Sequence, residues 1–432
     1  MRMGRIGQGA LAAAFMVALS FGSFAAEPTP DQVLATYADI ALAGFEDSLA
    51  GAQALDAAID ALIASPSDAT LNAAREAWLT ARIPYLQTEA FRFGNPIVDD
   101  WEPRVNAWPL DEGLIDYVTT AYGSESDLNR LYVADVIANP SITADDVTID
   151  ASVISPELLR DQLQEAGGIE ANVATGYHAI EFLLWGQDTN GTGPGAGTRP
   201  ATDYDVANCT GGNCDRRAQY LKAASTLLLA DLEEMVGNWQ ESGAARTALQ
   251  DLGIPAILTG MGSMSYGELA GQRMKVGLLL HDPEEEHDCF SDNTHNSYYY
   301  DAVGIRNVYL GSYTRPDGAV VSGPSISELL ASKDPALDTE IKQLLDESVA
   351  RMEAIRAKAS AGEHVDQLIG EGNTEGNAMV QAAIDALIAQ TRGIERAVTA
   401  LGVVGVTIEQ SDSLTDPALV TGDETQPGAV FQ

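Results

Sequence analysis

The chain is poor in cysteine, in basic charge and in strand-like sequence, and each shortage narrows what it can be. Three cysteines in 432 residues are too few for a disulfide scaffold. Lys and Arg number 24 against 63 Asp and Glu, leaving a net charge of −39. Such an excess argues against nucleic acid, whose phosphates need Lys and Arg, and against an anionic membrane surface. It is compatible with cation binding, although its first meaning is a solubilising surface. Strand signals are scarce, and the short β-branched run over residues 402–407 has no convincing partner nearby. Beyond the N-terminus no apolar stretch approaches the ~20 residues a bilayer needs. Catalytic signatures are missing too. There is no HExxH, which would supply two zinc ligands and a base. A Gly-Lys-Ser/Thr phosphate loop and a GxSxG nucleophile elbow are also absent. A hydrolase would have to assemble its base from scattered carboxylates.

The first residues point to export. Arg2 and Arg5 precede an apolar run over 10–24, and Ser23-Phe24-Ala25 has the small-x-small pattern of a cleavage site. Residues 1–25 are therefore expected to be a signal peptide, with the mature protein in the periplasm or on the exterior of the cell envelope and no transmembrane segment left. No cysteine follows the run to take a lipid anchor. In an oxidising compartment Cys209 and Cys214, enclosing Thr-Gly-Gly-Asn, are expected to form a local disulfide. A two-cysteine metal clip is the alternative, but no second pair completes a four-cysteine site. Cys289 is left over among carboxylates, which raise a thiol's pKa and oppose a reactive role.

What is abundant is helix. A 3.6-residue apolar period runs through residues 30–65, 67–93, 169–185, 216–241, 255–280, 325–361 and 375–401. Ser67-Asp68 caps one segment, Pro255 sits in a first turn, and Ser325 with Glu328 has the spacing of a capping box. The expected fold class is all-α. The order of elements suggests two related helical bundles, since a second helix in each half ends near an Arg (Arg92, Arg273) and enters an aromatic-rich irregular segment. The expected division is an N-terminal bundle over 27–190, a Gly/Thr-rich linker over 191–215, a C-terminal bundle over 216–412 and a loosely attached acidic tail over 413–432.

Four places could carry chemistry. His178 and Glu181, at i and i+3 on a strongly apolar helix, can hold one transition metal together. A structural pair satisfied within the core has the same spacing, but a buried carboxylate needs a cation nearby. Glu89 and Arg92 repeat the i, i+3 pattern; they form either an internal ion pair or a Glu89 that faces His178 across a bundle. The loop over 282–295 holds His287, Asp288 and His295 and could bind metal, yet its Asp, Ser and Asn are equally suited to capping helices, which is the favoured reading. Asp111, in an acidic-aromatic segment after Trp108, could line a cleft.

Four blocks, GYHAIEFLLWG, RIPYLQTEAFRFGN, VNAWPLDEGLIDY and HDCFSDNTH, occur in the chain. On them the sequence resembles the imelysin-like family of exported bacterial proteins, the first block matching its GxHxxE motif. The resemblance implies a pair of related helical bundles with a cleft, and a role in iron regulation or uptake. It makes His178 and Glu181 the signature pair, with Glu89 and Arg92 in a neighbouring block. Three functions follow. The first is binding or handling of iron, or another transition metal, through His178, Glu181 and Glu89, with other envelope iron-uptake proteins as partners. The second is a zinc-type metallopeptidase, an activity attached to one family member. The third is a binding module that takes a non-metal ligand in the cleft.

Overall fold

The computed structural model describes residues 27–144 and 147–421. The expected signal peptide and the last residues of the acidic tail lie outside them. The fold is all-α, and its helices start where local chemistry supplies a cap. Helix α1 (Pro30–Ala64) opens on Thr29, whose hydroxyl accepts from the Gln32 amide while the Gln32 side chain returns a bond, with Pro30 in the first turn. Helix α2 (Asp68–Leu86) opens on Ser67 in the same reciprocal way with Thr70. It stops earlier than periodicity predicts. Pro84 cannot donate into the ladder, and the Thr88 hydroxyl donates to the Tyr85 carbonyl at 2.6 Å, so Glu89–Phe91 continue as a 3-10 turn.

Helices α1 and α2 pack with α3 (Gly176–Trp185) and α4 (Cys214–Trp239) to form the first bundle. Helix α4 was expected to open the second bundle. It is folded back onto α1 instead, because the linker between α3 and α4 is anchored to the first bundle. Arg199 N donates to Trp185 O at 2.7 Å, and Arg217 of α4 binds Asp116 at 2.6 Å. Cys209 and Cys214 are disulfide-bonded at the start of α4.

The second bundle comprises one long run, α7 (Thr294–Leu310), α8 (Pro335–Ser360) and α9 (Thr374–Leu401). That run joins α5 (Ile254–Ser263) to α6 (Val276–Leu280) through a π-helical stretch, Met264–Lys275. Helix α7 lies where an irregular segment was expected. The predicted helix over 325–361 is two helices, Ile326–Lys333 and α8, because Asp334 leaves the helical region and caps α8 through the Leu337 amide. One contiguous apolar core runs through both bundles, and α2 packs directly on α7.

Two antiparallel hairpins, Ser141–Ala144 with Val147–Asp150 and Ser312–Thr314 with Val320–Ser322, are the strands among the described residues. Residues 402–407 form none. Of the described residues after Thr407, Glu409 and Ser413 are docked rather than loose. Glu409 N donates to the Ser263 hydroxyl at 3.0 Å and the Ser413 hydroxyl to Gly271 O at 2.9 Å. A Cβ on Gly271 would lie 2.3 Å from that of Ser411, so glycine permits this approach.

Candidate functional site

Helix α3 is short for a reason its own motif supplies. Gly176 has φ +79°, and a Cβ there would fall 2.4 Å from the Val105 carbonyl oxygen. Only glycine lets the chain turn against Val105 and start the helix there. The preceding residues are held extended by Gln164, whose side-chain oxygen accepts from Ala174 N at 2.9 Å. All ten residues of α3 are buried, His178 and Glu181 included.

His178 and Glu181 are bonded to each other, Nδ1 to Oε2 at 3.0 Å. The other Glu181 oxygen accepts from the Ser291 amide at 3.0 Å and hydroxyl at 2.7 Å. A carboxylate fixed on one ring nitrogen orients the imidazole and leaves the other nitrogen for a metal. That second nitrogen, His178 Nε2, is buried with no hydrogen-bond partner. The loop between α6 and α7 closes the site. It brings His287 edge-on to His178, ring centres 4.7 Å apart, and places Asp288 beside both. Ligand atoms of His178, His287 and Asp288 lie within 4.8 Å of one another.

Charge around this group is tightly arranged. Arg82 of α2, fully buried, donates to Asp288 at 2.8 Å and lies 3.4 Å from His287 Nδ1. Its guanidinium sits 5.1 Å from the centre of the Tyr177 ring. Burial, reinforced by Arg82, holds His178 down at about 3. Burial, then the charges of Arg273, His178 and Arg82, hold His287 well below the usual imidazole range. Burial opposes ionisation of Asp288, but Arg82, with hydrogen bonds from Ser297 and Asn293, outweighs it and keeps the carboxyl below its ordinary range. Burial and the charge of Asp288 push Glu181 well up, against the Ser291 bonds. At neutral pH both imidazoles are therefore uncharged, the form that binds metal.

His287 also borders a cavity of about 450 Å3, where the Trp108 ring meets it edge-on at 5.7 Å. Arg92, Glu102, Glu268 and Arg273 line the same cavity. Glu89 and Arg92 do not pair internally. Glu89 accepts from Arg273 at 2.6 Å, while Arg92 meets Asp99 at 3.0 Å and Glu102 at 3.3 Å. Nor does Glu89 join His178; it reaches that group only through Asn106, which donates to Glu89 and accepts from Arg82. The position beside His178 expected for Glu89 is taken by Asp288, because α2 ends at Leu86 and the turn that follows aims Glu89 at Arg273.

The structure thus gathers His178, Glu181, His287 and Asp288, and puts Arg92 on the adjoining cavity. The 282–295 loop, read mainly as a capping segment, makes such internal bonds, Thr294 accepting from the Asp288 amide at 3.0 Å, and it also brings His287 and Asp288 against His178. His295 packs on His364 instead, ring centres 5.4 Å apart, and Asp111 is bonded to Asn129. Arg82, Asn106 and Ser291 were missed. For Arg82 a signal existed, since it recurs at helical spacing with the core residues Trp78 and Tyr85. A charge in an apolar stripe demands a buried partner.

These features define an all-helical protein with a buried His–carboxylate group where two bundles meet. The chain belongs to the imelysin family, which it matches over residues 41–394. A relative from Synechococcus elongatus, named iron-regulated protein A, is 24% identical over 310 residues, 68% of this chain and 67% of its own. Two solved structures share the fold. A putative iron-regulated protein A precursor from Parabacteroides distasonis superposes with a TM-score of 0.59 at 20% identity, over 87% of this chain and 96% of its own. An imelysin-like protein from Psychrobacter arcticum gives 0.54 at 15% identity, over 88% and 98%.

Proposed function

We propose that this chain binds a transition-metal ion, iron foremost, at His178, His287 and Asp288, and that it handles that ion for iron acquisition outside the cytoplasm. Two observations carry the reading: ligand atoms of His178, His287 and Asp288 lie within 4.8 Å of one another, and His178 Nε2 is a buried nitrogen with no hydrogen-bond partner. Two imidazoles and a carboxylate suit iron or zinc, and Glu181 supplies the outer carboxylate that such histidines use. The iron-regulated name of the Synechococcus relative and the word precursor on the Parabacteroides protein agree with this reading. So does the signal-like sequence over 1–25, and no helix of the described residues is long and apolar enough to cross a membrane. Arg82 opposes a bare cation, so a metal that arrives with an anionic ligand fits better, and the cavity beside His287 has room for one.

Binding is favoured over a zinc-dependent peptidase. A metallopeptidase needs a carboxylate free to take a proton from metal-bound water. Glu181, the motif's own acid, is held by His178 on one oxygen and by Ser291 on the other. The test is calorimetric titration of metal-stripped protein with ferrous iron and with zinc, free and as citrate complexes. His178→Ala and His287→Ala are expected to abolish binding. Wild-type affinity in both variants would overturn the assignment.

A further inference from the structure

A second group of carboxylates lies on the same loop. While His287 and Asp288 face His178, Glu284 and Glu286 line a separate void of about 10 Å3, together with Asp188 from the linker and Asp366 from the short helix Val365–Ile369. That is room for one water-sized sphere. Glu286 and Asp366 are each only 2% exposed. Glu286 Oε1 and both carboxylate oxygens of Asp366 are buried without a hydrogen-bond partner; the amides of Asp366 and Gln367 approach Asp366 without the alignment of a bond. The charges acting most strongly on Glu286 are those of Asp366, Asp292 and Asp188, all of its own sign. Thr294 is the polar group acting the other way on Glu286, yet three unpartnered carboxylate oxygens on residues lining one sphere-sized void leave negative charge poorly compensated. Their chemistry selects the cation that would compensate it: oxygen donors on side chains from three separate segments suit a hard, flexibly coordinated ion.

We infer that Asp188, Glu284, Glu286 and Asp366 bind a calcium ion, which ties the linker, the 282–292 loop and the Val365–Ile369 helix together. No three of these carboxylates are already drawn to ligand spacing among the described residues, so the ion pulls them in as it binds. Burial, with the charge of Asp188 adding to it, pushes Asp366 up to about 6, as expected where a negative cluster is left uncompensated. The amides of Gln367 and Asp366 and the charge of His364 act the other way on Asp366, and His364 Nδ1 is already engaged with the Asp292 carbonyl at 3.0 Å.

The experiment uses the full chain, stripped of metal and titrated with calcium chloride, followed by calorimetry and thermal melting. Calcium should bind one equivalent and raise Tm. In Glu286→Gln/Asp366→Asn the affinity should fall by about 100-fold, and the calcium-free variant should melt no lower than calcium-free wild type, because repulsion is relieved. His178→Ala should bind calcium as wild type does, which separates this site from the one proposed for iron. Cys289→Ser, altering a thiol on the same void, should also leave calcium affinity unchanged. The inference is overturned if millimolar calcium leaves the wild-type Tm unmoved, or if the double variant keeps wild-type affinity. A cadmium–thiolate absorption band in a protein that ignores calcium overturns it too.

Discussion

Arg82 and Asp288 meet at 2.8 Å with both side chains fully withdrawn from solvent, joining the second helix of the first bundle to the loop that enters the second. Removing one member strands the other as a buried charge. Arg82→Met is expected to destabilise the fold by about 3–5 kcal/mol. Arg82→Met/Asp288→Asn should recover a large part of that loss. Urea unfolding of the three proteins measures it; a double variant no more stable than the single one would show that the ion pair is not what Arg82 contributes.

Glu181 touches His178 but is not among the three grouped ligands. Glu181→Gln retains shape and a hydrogen bond while losing charge. It is expected to weaken metal binding 10–100-fold, in the usual range for an outer partner (about one to two decades), where His178→Ala abolishes it. Calorimetry separates the two roles, and equal losses would move Glu181 into the ligand set.

The buried imidazole predicts a pH dependence for the metal-free protein. His178 is held at about 3 by burial and then Arg82, against ~6.5 in an unfolded chain. The unfolded state therefore takes up the proton first as pH falls. The contribution of His178 to stability is present above ~6.5 and is lost as pH drops toward its folded value, by up to ~1.4 kcal/mol per pH unit. Glu181 is shifted upward, so its contribution runs the other way, present at low pH and lost as pH rises. Urea midpoints between roughly pH 7 and pH 4.5 should fall more steeply in wild type than in His178→Gln, the window being set by the imidazole. Parallel profiles would place the titrating group elsewhere.

Gly176 carries the start of the motif helix. Gly176→Ala must accommodate both φ +79° and a Cβ 2.4 Å from the Val105 carbonyl oxygen. A loss of at least about 2 kcal/mol is expected, with metal affinity reduced because His178 moves with the helix start. Gly362→Ala is the control, with φ +92° and nothing within 4 Å of its Cβ; it should lose less. Equal shifts in Tm would reduce Gly176 to backbone strain alone.

Much of the fold was legible because it is set by local rules. The apolar period marks α1, α4 and α9 to within a few residues, the cap at Ser67 is made reciprocally, and Ser325 accepts from the Glu328 amide without the return bond of a capping box. The failures were also local in origin. A period cannot see that Pro84 and Thr88 end α2, or that Gly176 must turn against Val105 before α3 begins. Both missed hairpins are short, three or four residues a strand, and too brief to show alternation.

The sequence by itself determined the helical class and the pairing of His178 with Glu181, because i, i+3 geometry and composition act within a few residues of chain. Only the tertiary structure decided the rest. It replaced Glu89 with Asp288 beside His178, sent Glu89 to Arg273, folded α4 back onto the first bundle and brought Arg82 between them. These choices depend on which charges are buried together. A buried charge takes the partner that packing places within reach, and sequence spacing carries no information about a partner on another helix.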